Sequence, residues 1–254
     1  MNKTNHSSRR ASHNTADAKG PQAAELRTAT EGPAAPTANA GRAEPAIGSF
    51  DIFGRCIERA KNLVKIHEAA HGKKRAKPEK YLADCHRAAI VLAISALDAF
   101  IRSFVITRVR VLLANKTATL PDSLAKRIKD FLKDDGLLEA ARKDDLLDRV
   151  EKAFRESFEK SSFQGTRQIT EALKLVGYDD IFHSVASSAG ENEDTLRQRL
   201  DRFTTRRHGI AHRGDYELSQ NPPREQAVTK KDAEECIKTV SVIALHINKI
   251  GRQP

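Results

Sequence analysis

From Phe50 onward the apolar positions return at three- and four-residue intervals: Ile52, Phe53, Cys56, Ile57, Ala60, Leu63, Val64 and His67. That spacing lines one side of an α-helix. His71-Gly72 and the cationic run Lys73-Lys74-Arg75-Ala76-Lys77-Pro78 predict its end and a loop. A second helix is predicted over about 79–115, apolar on most faces near its middle and so the central core helix. Its longest apolar run, Ala88 to Phe100, is interrupted by Ser95 and Asp98 and falls short of the roughly 20 residues needed to span a bilayer, so no membrane contact is expected.

Pro121-Asp122 opens a shorter helix, and Gly136 is expected to separate it from a charged one running through Asp144, Arg149 and Phe158. Gly165, Gly177 and Gly190 punctuate two short helical pieces. Another helix is predicted over 191–212. After the turn signals Gly214-Asp215 and Asn221-Pro222-Pro223, Thr229 can cap a final helix over 230–250. No stretch sustains strand alternation, so the predicted fold is all-α, without internal repeats.

Residues 1–48 differ in kind. They are rich in Ala, Thr, Asn, Gly and Pro and nearly devoid of large apolar groups. Such a segment buries too little surface to offset its ordering entropy, so a disordered tail precedes a helical domain over 49–252. Arg9, Arg10, Arg27 and Arg42 in the tail can touch a phosphate backbone; a solubilising leader is the plainer reading.

The composition of 39% hydrophobic and 31% charged residues suits a helical protein with a modest core. A net charge of +10 makes polyanions plausible partners, although the excess is spread along the chain. Aromatic residues are 5%, without Trp, so stacking platforms for bases are not an evident design element. Cys56, Cys85 and Cys236 lie far apart with no metal-ribbon spacing, which points to a reducing compartment. With no apolar leader at the N-terminus, a cytoplasmic location is expected.

The chemistry concentrates in Arg206-Arg207-His208-Gly209-Ile210-Ala211-His212. Cleaving RNA without a metal needs a group that moves protons at the 2′-hydroxyl or the leaving 5′-oxygen. It also needs a fixed cation facing the charge that builds on phosphorus. Histidine titrates near neutral pH, and arginine stays charged while offering a planar fork to phosphate. The spacing complicates this. Arg207 and His212 are five residues apart, which sets them roughly 140° apart around an ideal helix, while His208 and His212 share a face. Three routes could reunite the pair: a helix end relaxed at Gly209 and Gly214, an Arg207 side chain reaching around, or a two-fold dimer in which each subunit supplies part of the site.

Other readings compete at these positions. Arg206, Arg207 and His212 can be cations favoured by a helix C-terminus. His208 and His212 can form half of a metal site, with Asp215 the nearby carboxylate, although Gly209 stands where a zincin carries its glutamate.

The stretch Leu200 to Asp215 resembles the signature of the HEPN superfamily, an Arg followed by a polar residue, three more residues and a His; here His208 replaces the usual Asn. Ala96-Leu97-Asp98-Ala99-Phe100-Ile101-Arg102 is similar to the acidic position of that family's early core helix. Ser162-Phe163-Gln164-Gly165 and the closing helix from Thr229 resemble the RiboL-PSP type, and the likeness covers about residues 50–250. The resemblance implies a helical bundle that dimerises around a shared cleft and cleaves RNA, with no metal or other cofactor, as an endoribonuclease. Members often act as toxins or phage-defence effectors, so an antitoxin or defence partner is also implied. The alternative is a non-catalytic module that binds RNA or a protein.

Carried onto this chain, Arg207 would orient the scissile phosphate, His212 would transfer protons or position phosphate, and His208 would assist. Asp98 would hold Arg207 or position the 2′-hydroxyl; read from the residues alone it is an i,i+4 partner of Arg102, worth only about 0.3–0.5 kcal/mol at a surface. Arg206, Arg213 and Arg102 would bind substrate.

Overall fold

The computed structural model describes residues 48–71 and 80–252. The expected tail before Gly48 and the cationic run at 73–78 lie outside the described residues. Eight helices carry almost all of what is described: α1 (Ser49–His71), α2 (Ala83–Ala114), α3 (Asp122–Lys143), α4 (Leu146–Glu159), α5 (Thr166–Lys174), α6 (Ile181–Ala189), α7 (Glu193–Arg213) and α8 (Lys230–Gly251). A single 3-10 turn, Lys80–Leu82, leads into α2. The all-α expectation holds, with one small departure. Tyr216–Glu217 (β1) and Arg224–Glu225 (β2) pair antiparallel in a short hairpin between α7 and α8, too brief for any alternation to show in the sequence.

α2 is the hub. It packs against α1, α8, α7, α4 and α5, and its buried residues run on several faces from Ala89 through Ile94, Leu97 and Ile101 to Val109. The apolar stretch is therefore longer than the run ending at Phe100 suggests. By length and composition α2 could cross a membrane, but 61% of its most apolar window is buried inside the fold. That surface is occupied by helix packing. Around α2 lie fully buried Phe154, Phe182, Leu196 and Leu200, each contributing roughly 1.5–3 kcal/mol by leaving water.

The α1 stripe faces this core through Phe53, Ile57, Ala60 and Val64, whereas Ile52 stays half exposed. In α4, Val150, Phe154 and Phe158 recur every fourth residue and are buried, and the Phe158 ring meets Phe163 edge-on at 4.8 Å.

Helix ends follow local chemistry. Asn192 caps α7 by accepting from the Thr195 amide at 3.0 Å, and Thr229 with Asp232 forms a reciprocal capping box on α8. Gly190 and Gly214 end α6 and α7 in the left-handed region. The break expected at Gly136 falls elsewhere. Gly136 lies inside α3, which kinks at Lys133 (φ 52°, ψ 173°), and the chain turns at left-handed Asp144 before α4. A glycine inside a helix costs only about 1 kcal/mol and does not by itself end it.

Candidate functional site

α7 carries the Arg-His segment and presents three faces. One is the continuation of its core stripe: Leu196, Leu200 and Phe203 are buried, and Arg207 follows four residues later, half-buried. A second bears exposed His208 and His212, whose rings lie 4.4 Å apart between centroids at 44°. The third bears Arg202, Arg206, Gly209 and Arg213 and walls a cavity of about 570 Å³.

The helix is unbroken through Arg213. The Gly209 carbonyl accepts from the amides of both Gly214 and Asp215, closing the last turn. The helix thus continues past Gly209 and His212, and an ideal pitch sets Arg207 and His212 roughly 140° apart. Within one subunit they sit on different faces, one toward the core and one in solvent.

Neighbouring arginines have different partners. Arg206 donates from Nη2 to Asp215 Oδ2 at 2.7 Å and to the carbonyls of Ala227 at 2.9 Å and Gln226 at 3.2 Å. Asp215 has a side chain only 1% exposed and also accepts from Arg87 Nε at 2.8 Å. Arg87, buried on α2, holds Glu225 at 3.0 Å and Asp84 at 3.1 Å as well. Burial opposes the Arg87 charge, but the hydrogen bonds to Asp215 and Asp84 outweigh it and raise its pKa. This Arg87–Asp215–Arg206 network joins α2, the end of α7 and the hairpin. The structure thus engages Arg206 Nη2 in holding the fold together.

Arg207 has no hydrogen bond or ion pair among the described residues, and its Nε is buried without a partner. Arg213 is exposed, lies against Gly209 and also forms no direct ion pair among them.

Asp98 makes no hydrogen bond or ion pair with Arg207 among the described residues. Its Oδ2 accepts from Arg102 at 3.1 Å and its Oδ1 accepts a short bond from the Phe163 amide. Arg102 in turn donates to the Ser161 carbonyl at 2.9 Å and lies over the Phe163 ring, 5.5 Å from its centroid, so it too is engaged internally. From the other side, α7 grips the same loop. Thr204 donates to the Gln164 carbonyl at 2.8 Å, and Asp201 accepts from the Thr166 amide at 2.9 Å and its hydroxyl at 2.7 Å. The segment 161–166 is therefore a clamp between α2 and α7, and Asp98 reaches the motif only through it.

No cluster of three or more His, Cys, Asp or Glu suited to a metal occurs among the described residues. Sequence reasoning missed Arg87 and the buried position of Asp215. They are 128 residues apart, and only the Gly214-Asp215 turn signal hinted that something was anchored there.

The sequence model of the family described as RiboL-PSP-HEPN matches residues 55–250, most of the described chain. No curated protein matches, and no solved structure does.

Proposed function

Because this chain belongs to the RiboL-PSP-HEPN family, we propose that it is a metal-independent endoribonuclease whose site is completed across a two-fold dimer. The family makes a ribonuclease-like or nucleotide-binding function the coarse expectation; the residues of α7 supply the rest. The observation that carries the reading is Arg207. A half-buried guanidinium with no intramolecular anion is available to a phosphate, while Arg206 beside it is not.

In this mechanism the substrate 2′-oxygen attacks phosphorus as a histidine accepts its proton. The P–O5′ bond breaks, and the departing oxygen receives a proton, leaving a 2′,3′-cyclic phosphate and a 5′-hydroxyl. Arg207 stabilises the charge on the phosphoryl oxygens. His212 moves the proton, with His208 packed against it as the second imidazole. The roughly 140° divergence within a subunit favours Arg207 of one protomer working with His212 of its partner.

Mixing Arg207→Ala and His212→Ala subunits tests this. Each mixed dimer keeps one intact composite site of two, so random pairing should restore about a quarter of wild-type cleavage in EDTA. No restoration would sink the shared site, and cleavage abolished by EDTA would sink metal independence. A toxin or defence role, with a cognate antitoxin or defence partner, further predicts growth arrest on expression, relieved by Arg207→Ala.

The second reading, a non-catalytic module that binds RNA or a protein partner, is favoured by one observation: a concavity beside the motif lies on the Arg202–Arg206–Arg213 face, and neither His208 nor His212 lines it. Tight RNA binding by wild type, with no cleavage at any concentration, would select it.

A further inference from the structure

α8 carries two stripes on opposite sides. Cys236, Val240, Ile243 and Ile247 are buried in the core. Lys238, Val242, Leu245, Lys249 and Arg252 recur at alternating four- and three-residue intervals, and an ideal pitch sets them within about 80° of one another on the far side. This outer stripe lines a groove of about 880 Å³, with Val185, Ser188 and Ala189 of α6 across from it. The walls are fixed to each other. The Ser184 hydroxyl and His246 Nε2 lie 2.7 Å apart and tie α6 to α8, and Arg199 of α7 donates to the Thr239 hydroxyl at 2.8 Å.

Charge and apolar surface are both left open along this groove. Lys238, Lys249 and Arg252 are exposed, and their side chains form no hydrogen bond or ion pair among the described residues. The carboxylate in the lining, Glu191, is already taken by Arg199 through both oxygens, at 2.7 and 2.9 Å. On other helices exposed cations have a carboxylate one turn away, as in Lys143–Glu139 and Arg155–Glu151. The dipole at the C-terminus of α8 favours Lys249 and Arg252, but not Lys238 in the middle of the helix. Nor does it account for Leu245, 59% exposed among these cations, with Val242 partly exposed one turn before it.

We propose that this groove docks an acidic amphipathic helix of a protein partner. The partner's apolar side chains cover Val242 and Leu245, and its carboxylates meet Lys238, Lys249 and Arg252. RNA would satisfy the cations and leave the apolar surface in water, and the lining offers no Phe, Tyr or Trp for a base to stack on. A membrane-binding face carries far more apolar surface than one exposed leucine and a partly covered valine. The nine residues of α6 run about 13 Å, room for two or three turns of a docked helix. Arg199, in the lining, lies thirteen residues before His212 on α7, about 20 Å along the helix, so the groove is separate from the Arg-His segment. The inference goes beyond the ribonuclease reading and holds whether or not the chain cleaves RNA.

The test uses the full chain and a fluorescently labelled synthetic peptide of about 18 residues, long enough to form a helix, read by anisotropy. The peptide carries Leu at i, i+3, i+4 and i+7 and Glu on the flanking positions. Wild type should bind it, and Leu245→Ser should weaken binding about tenfold or more. Lys238→Glu with Lys249→Glu should abolish binding of the Glu peptide and create binding of the same peptide with Lys in place of Glu. All three positions are exposed or partly so, and an unchanged urea midpoint shows that the variants fold. Lys126→Glu, an exposed cation on α3, should leave binding as it is. Equal weakening by Lys126→Glu, or no reversal of peptide preference in the double variant, would overturn the groove. So would labelled oligouridylate or phosphatidylserine vesicles binding through Lys238 and Lys249 while the Glu peptide does not bind. RNA cleavage measured on the same variants should stay at the wild-type level, so a failure here and a failure of the ribonuclease reading are told apart.

Discussion

Arg206 and Arg207 are adjacent in sequence and opposite in circumstance: the first closes a 2.7 Å ion pair on buried Asp215, and the second has no hydrogen-bond partner among the described residues. One residue of helical rotation, about 100°, moves the side chain from the network face to the end of the core stripe.

The two variants should therefore separate stability from activity. Arg206→Ala leaves Asp215 buried with half its pairing and should lower unfolding free energy by about 2–4 kcal/mol. Arg207→Ala removes no ion pair, should change stability by less than about 1 kcal/mol, and should cut cleavage by a factor of about 100 or more. Urea unfolding beside a cleavage assay measures both. Equal destabilisation by the two would contradict the assignment.

Asp98 holds one side of the clamp at 161–166, and α7 holds the other. Asp98→Ala strands the Phe163 amide and frees Arg102, and should cost about 1–3 kcal/mol. Asp98→Asn keeps an acceptor for that amide and should recover most of the loss. Native-state hydrogen exchange at Phe163 and Thr166 reads the effect; protection unchanged in Asp98→Ala would remove the clamp from the account.

Two histidines, His86 buried and His246 partly so, predict the acid limb of stability. Burial and the neighbouring His67 hold the His86 pKa below its usual 6.5, against weaker raising effects of Glu234, Asp232 and Glu68. For His246, burial first and then the nearby Lys249 charge act in the same direction.

In the unfolded chain these imidazoles take up protons near pH 6.5, and in the folded chain only at lower pH. Their contribution is thus full above about pH 6.5 and declines as pH falls through the folded values. The urea midpoint should drop between about pH 7 and pH 5, and His86→Gln should flatten that drop. A midpoint constant over this range would contradict the burial argument.

Gly214 ends α7 at φ +58°. Gly214→Ala should cost about 1 kcal/mol through the left-handed backbone alone, since the nearest atom to an added Cβ is Tyr216 Cδ2 at 3.8 Å. A thermal melt suffices to measure it, and an unchanged melting temperature would refute the strain assigned to the turn.

Local pattern made most of the fold legible. The 3.6-residue stripe of α1, the glycine punctuation at Gly190 and Gly214, and the Thr229 cap depend on neighbours within a few residues, so they can be read in the chain. The kink at Lys133 carries no comparable local signal, and the expected break at Gly136 did not occur there.

The motif itself was equally plain in the sequence: its residue types, its five-residue spacing and the conflict of angle that follows are properties of one helix. What the sequence could not decide is which cations are already neutralised. That depends on Arg87 and Asp215 meeting across 128 residues, and on the Phe163 amide reaching Asp98 across 65. Such pairings are set by how α2, α7 and the hairpin pack, because burial selects partners by distance in space rather than along the chain. Tertiary structure thus paired Arg206 with Asp215 and left Arg207 without a partner among the described residues.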